Sequence, residues 1–174
     1  MLEVLRQQLV PALGCTEPVA VALCTATARK HASGNIEKIL VTVSRSIYKN
    51  GARVTIPGTH EKGLEVAASL GAIAGNPDAS MQVLQGISED DVDLAKEYIE
   101  QRKVQVEVDE TKNTLYIQSK IVTSDDYAIC VIEEDHTNIV YIEANGKVIK
   151  GKKGGERSTC PSETSAIPEI QTYC

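Results

Sequence analysis

The sequence predicts an α+β fold, with helices packed on one face of a largely antiparallel sheet and a flexible C-terminal tail. A change of hydrophobic period is what predicts it. Up to Gln101 most apolar residues recur at helical spacing. From Lys103 the period becomes two, with Val104, Val106 and Val108 alternating with Gln105, Glu107 and Asp109. Turn residues then recur at short intervals, at Glu110-Thr111-Lys112-Asn113, Asp135-His136-Thr137 and Asn145-Gly146, so this half reads as an antiparallel meander.

Leu2, Leu5 and Leu9 lie at i, i+3 and i+7 and predict a short first helix. A second helix is predicted from Glu17 to His31, ending near Gly34, with Thr16 as its cap and Pro18 in its first turn. Val19 to Cys24 are apolar on every side, so the early turns of this helix are expected to be buried. Residues 36–43 put Ile39, Val41 and Val43 on one face of a strand, and Lys49-Asn50-Gly51 reads as a hairpin turn into a short strand at 54–56. Pro57-Gly58-Thr59 stops that strand and opens a helix on which Leu64, Ala67, Ala68, Gly71, Ala72 and Gly75 form a seam of small residues. Asn76-Pro77 ends it. Ser88 with Asp91 reads as a capping box for a helix to Gln101, whose inner stripe is Val92, Ala95 and Ile99. Further strands are predicted at 114–122, 127–133, 138–144 and 147–150.

Residues 1–150 are thus expected to form one α+β domain. Residues 151–174 read as a linker, with Ala166-Ile167-Pro168-Glu169-Ile170 starting a helix that is not completed, as in a truncated protein. At 174 residues and 42% hydrophobic, the chain can build a core of Val, Ile, Leu and Ala without Trp or Phe. A net charge of −6 and the lack of a Lys/Arg block argue against a nucleic-acid partner. No stretch approaches the roughly 18 apolar residues of a membrane span, and no signal-peptide layout opens the chain, so a cytoplasmic protein is expected. Five cysteines, at 15, 24, 130, 160 and 174, form no CxxC pair and no disulfide framework. Cys24 and Cys130 read as core thiols.

The segment Pro11-Ala12-Leu13-Gly14-Cys15-Thr16-Glu17-Pro18 sets a thiol at a helix N-terminus, where the macrodipole favours thiolate. The strings PALGCTEPVAVAL (11–23), SRSIYKNG (44–51), VTIPGT (54–59) and GLEVAASLGAIAGNP (63–77) resemble the L-cysteine desulfidase family. That is a cytoplasmic iron–sulfur group related to the alpha chain of iron–sulfur L-serine dehydratase. The resemblance implies α,β-elimination from L-cysteine to pyruvate, ammonia and sulfide. It also implies a 4Fe-4S cluster with Cys15 as its first ligand, and an iron left open to act as Lewis acid on the departing sulfur. Family chains are more than twice this length, and their other cluster cysteines lie in a C-terminal domain with no counterpart here. The chain alone is therefore expected to hold a cluster poorly and to turn over little.

Glu17 is the candidate base nearest in sequence, with a plain alternative as a first-turn acid that complements the helix dipole. Thr16 is a cap and a candidate substrate contact. Lys49 and Asn50 can hold a substrate carboxylate and Ser44 can donate to it, although turn chemistry explains Asn50-Gly51 equally well. Thr59, at a predicted helix start, offers a second anion site. His60 and Ser46 stand where the family often has glycine and asparagine. His31, His60 and His136 read as solvated, and no motif indicates pyridoxal phosphate. Partners consistent with this pattern are L-cysteine or L-serine, a missing C-terminal domain or second subunit, and further copies of the chain. Two alternatives stay open: a noncatalytic domain that binds a small amino acid or mediates oligomerisation, and one subunit of a two-chain L-serine dehydratase-like enzyme.

Overall fold

A computed structural model of the chain describes residues 16–151. The predicted helix carrying Leu2, Leu5 and Leu9, together with Cys15, Cys160 and Cys174, lies outside the described residues. In order, the elements are α1 (Thr16–Lys30), β1 (Ile36–Ser44), α2 (Arg45–Gly51), α3 (Leu64–Ala74), a 3-10 turn (Pro77–Gln82), α4 (Glu89–Glu100), β2 (Val104–Asp109), β3 (Tyr116–Thr123), β4 (Tyr127–Glu133), β5 (Ile139–Ala144) and β6 (Lys147–Lys150). The six strands form an open sheet in the order β2-β1-β3-β4-β5-β6, antiparallel except for the β1–β2 pair. The predicted α+β class holds.

Helix α1 is buried from Pro18 to Ala28, lying between α3 and strands β3 and β4. Its interior hydroxyls are satisfied locally. Thr25 donates to the Val21 carbonyl at 2.8 Å and shares a 3.0 Å bond with Ser119, while Thr27 donates to the Leu23 carbonyl at 2.8 Å. The sheet offers this helix one continuous row, because register aligns Val41 with Ser119, Ser119 with Cys130 and Cys130 with Ile142. All but Ser119 belong to one hydrophobic core with Ile39, Val43, Ile117, Ile121 and Ile132. Glu143 is buried on β5, where it accepts from the Tyr127 hydroxyl at 2.9 Å and from the Tyr141 hydroxyl.

The small-residue seam predicted on α3 is what lets it approach α1. A Cβ added to Gly71 would sit 2.3 Å from the Ala22 carbonyl oxygen, and one added to Gly75 would sit 2.9 Å from the Ala26 methyl. Asn145 and Gly146, with φ of 52° and 83°, make the predicted tight turn between β5 and β6. The capping box forms as predicted, with Asp91 N–H on the Ser88 hydroxyl at 3.2 Å and Ser88 N–H on the Asp91 carboxylate at 2.9 Å.

Four expectations are corrected. Residues 45–51 are a helix, not a hairpin turn, because Ile47 and Gly51 stand at i and i+4 and are both buried. With no strand partner, 54–56 contributes a single bridge, Thr55 to Lys62. The next helix begins at Leu64, not at Pro57 to Thr59, since Ile56 N–H bonds the Glu61 carbonyl at 2.9 Å and closes a loop there. β2 does not enter the meander: it pairs parallel with β1 from Val104 opposite Ile39 to Asp109 opposite Ser44, and α2 to α4 provide the crossover that parallel pairing demands.

Gly71→Ala is expected to destabilise the fold by about 1–3 kcal/mol in urea denaturation despite its better helix propensity, because the new methyl meets backbone that cannot rotate away. Hydrogen bonds from Ser88 hold the Asp91 carboxyl below its ordinary value of 3.8. A lowered folded-state value contributes stability above 3.8 that is lost as the pH falls through the folded value. The stability gap between wild type and Asp91→Asn should therefore be present at neutral pH and close on acidification, read from urea midpoints.

Candidate functional site

The first turn of α1 meets two distant segments. Gly51, at the end of α2, packs so closely that an added Cβ would lie 3.1 Å from the Glu17 Cβ and 2.7 Å from the Leu64 side chain. From the other side comes His136, in the turn between β4 and β5. That turn is stiffened by Asp135, which accepts from Thr137 N–H at 3.0 Å and from its hydroxyl at 3.2 Å, and by Asn138, whose amide donates to the Glu133 carbonyl at 2.9 Å. Glu134 adopts a φ of 70° there. His136 Nε2 lies 3.2 Å from Thr16 Oγ1 and 3.9 Å from Glu17 Oε1.

The direction of this contact depends on the His136 tautomer. In the Nε2-protonated tautomer Thr16 donates to Glu17 Oε2 at 3.4 Å and accepts from His136 Nε2–H at 3.2 Å. This assignment leaves Nδ1 as the acceptor of the ring. The three groups form a relay, imidazole to hydroxyl to carboxylate, at the positive end of α1. The Glu17 side chain is 16% exposed and that of His136 31%, so the relay is shielded yet within reach of solvent. Its chemistry is that of a proton acceptor held in one orientation.

His136 is the residue that sequence reading missed, having been taken for a solvated turn residue. Its partners are 120 positions away in the chain, and no spacing rule connects them. Thr16 opens the described part of α1, and its hydroxyl lies between His136 and Glu17. Ser44 is buried at the end of β1, accepting from Tyr116 N–H at 3.3 Å and lying 3.2 Å from the Ser46 hydroxyl. Asn50 is exposed beside Gly51. Thr59 donates to the Ile56 carbonyl and accepts from Glu61 N–H, each at 3.0 Å, so its hydroxyl braces a loop and not a helix N-terminus. Lys49 lines a separate groove with Arg45, Tyr48, Arg53 and Val108.

Among the described residues no group of three His, Cys, Asp or Glu side chains converges on a common metal position. The two described cysteines point into the core, where the Cys24 thiol donates to the Cys130 carbonyl at 3.1 Å. Its hydrogen bonding and burial push the Cys130 thiol well up. Inert thiols of this kind do not fit a four-iron cluster, and Cys15 lies outside the described residues. No helix among the described residues is long and apolar enough to cross a membrane.

An α+β domain with this relay has clear relatives. The chain is 41% identical over 147 residues to a UPF0597 protein of Actinobacillus pleuropneumoniae, covering 84% of this chain and 34% of that protein. It is 43% identical over 152 residues to one from Dichelobacter nodosus, covering 87% and 35%. A third, from Vibrio parahaemolyticus, is 41% identical over 177 residues, covering 99% and 42%. No family model matches the chain. It is homologous to the UPF0597 family, and it spans between 34% and 42% of the length of these relatives. Their names specify neither a desulfidase nor a serine dehydratase.

Gly51→Ala is expected to cost about 1–3 kcal/mol, because Leu64 is fully buried and cannot yield freely. It should also move the His136 ring signals in NMR by displacing Glu17, a change that a distant destabilising substitution would not produce.

Proposed function

We propose that this chain is the N-terminal, substrate-holding part of an iron–sulfur-dependent amino-acid lyase of the L-cysteine desulfidase type, acting in the cytoplasm. The observation that carries this reading is the relay of His136, Thr16 and Glu17, built on the turn that follows Cys15 in the sequence. Elimination needs a group that takes the Cα proton. The Cα–H electron pair becomes the Cα=Cβ bond as the Cβ–S bond breaks, and sulfur leaves with its own pair. The aminoacrylate formed tautomerises to an imine, which water hydrolyses to pyruvate and ammonia.

In this reading His136 Nδ1 is the proton acceptor, because Nε2–H is committed to Thr16. Glu17 stands behind it, stabilising positive charge on the ring through the Thr16 hydroxyl and directly across 3.9 Å. Asn50, next to the Gly51 contact, is the best placed of the polar candidates for the substrate carboxylate. Ser44 and Thr59 already hold internal partners. The cluster, with Cys15 as one ligand, and the C-terminal domain or second subunit that completes it are supported by the family resemblance and by the greater length of the relatives.

A second reading is a noncatalytic domain in which the same His136, Thr16 and Glu17 cluster holds a small amino acid without turning it over. Titration of the chain with L-cysteine and L-serine, followed by the His136 ring signals in NMR, tests both. Shifts that saturate are expected, and no shift with either amino acid would sink both readings. Sulfide and pyruvate formation from L-cysteine, measured with the C-terminal part of a UPF0597 relative supplied and after anaerobic loading with iron and sulfide, separates them. A lyase should lose about 10²–10⁴-fold in rate on His136→Ala, and a chain that binds but never releases sulfide fits the second reading.

A further inference from the structure

We propose that the groove on the outer face of α2 binds a nucleoside di- or triphosphate, at a site distinct from the relay at the start of α1. Arg45 and Lys49 stand at i and i+4 on α2 and Arg53 follows two residues past its end at Gly51, and all three cations line this groove. Ile47 and Gly51 occupy the opposite, buried side of the same helix.

Two acids close by in sequence, Glu107 and Asp109, bond along their own segment and do not line the groove. Asp109 accepts from the N–H of Thr111 at 3.0 Å and from its hydroxyl at 2.5 Å, and Glu107 accepts from the Gln105 amide at 2.7 Å. Only Glu110 faces the groove, and its 3.7 Å pair with Arg45 joins side chains that are 79% and 75% exposed. Such a pair is worth little and gives way to a phosphate, which matches the guanidinium fork better. Three cations against one acid leave the groove positive in a chain whose net charge is −6.

Charge alone does not account for the groove's remaining walls. Tyr48 is 41% exposed and Val108 37%, two of the few large apolar residues left open to this degree, and both belong to the groove. An exposed ring among guanidinium groups stacks a planar base. The size suits a small molecule: a volume of about 590 Å³ lies within the usual range of ligand pockets, roughly 300–1,000 Å³.

The test uses the 174-residue chain, with ATP and inorganic tripolyphosphate as probes in isothermal titration calorimetry. Both are expected to bind saturably, ATP the tighter, and added salt should weaken both. Arg45→Gln and Arg53→Gln should each cost about tenfold in affinity or more, and Tyr48→Ala should bring ATP down to the affinity of tripolyphosphate. These three side chains are exposed, so circular dichroism and urea midpoints of the variants should match wild type, which separates lost binding from unfolding. Binding that survives in the Arg45→Gln, Arg53→Gln double variant places the anion elsewhere and overturns the site. Equal affinity of the wild type for the two probes overturns the nucleoside, and no saturation of either by about 1 mM overturns the proposal altogether.

Discussion

Helix α1 lies at the centre of the fold because α3 comes close enough to seal it against the sheet. Gly71 over Ala22 and Gly75 over Ala26 place the two backbones nearer than any side chain at those positions would permit. A protein without Trp or Phe fills its interior with small groups, and close helix approach is how such groups reach interior packing density. The same constraint explains the unusual composition of α1, where alanine, valine and hydroxyls bonded to their own helix replace the large residues of an amphipathic stripe.

Everything at the candidate site inherits its position from that arrangement. Once α1 is fixed by α3 on one side and by β3 and β4 on the other, its first turn must emerge beside the end of β4. The β4–β5 turn then places His136 against Thr16 with little freedom left to choose. Gly51 closes the third side only because it lacks a side chain. The relay is thus a consequence of how the core packs, and substitutions in the α1–α3 seam should reach the imidazole without touching it.

The sequence was most informative where structure is local. The capping box at Ser88, the Asn145-Gly146 turn, the buried character of α1 and the small-residue seam on α3 are each written within a dozen positions and are found as read. It was least informative where partners are distant. The valines of β2 show that it is a strand but not that its neighbour is β1 in parallel, since alternation carries no information about pairing. Asn50-Gly51 reads as a turn until Ile47 and Gly51 find a helix to pack against, when tertiary contact overrides turn chemistry. His136 and the buried Glu143 lie among polar residues, and only the folded chain reveals what they touch.

Helix α2 holds the two proposed activities apart. At seven residues it is too short to be stable alone, and it persists because Ile47 and Gly51 anchor one side of it to the core. That anchoring turns Arg45 and Lys49 outward, into the groove that Arg53 also lines, while Gly51 faces Glu17. Keeping the positive groove on the outer side of a short helix leaves the cations to a ligand of their own.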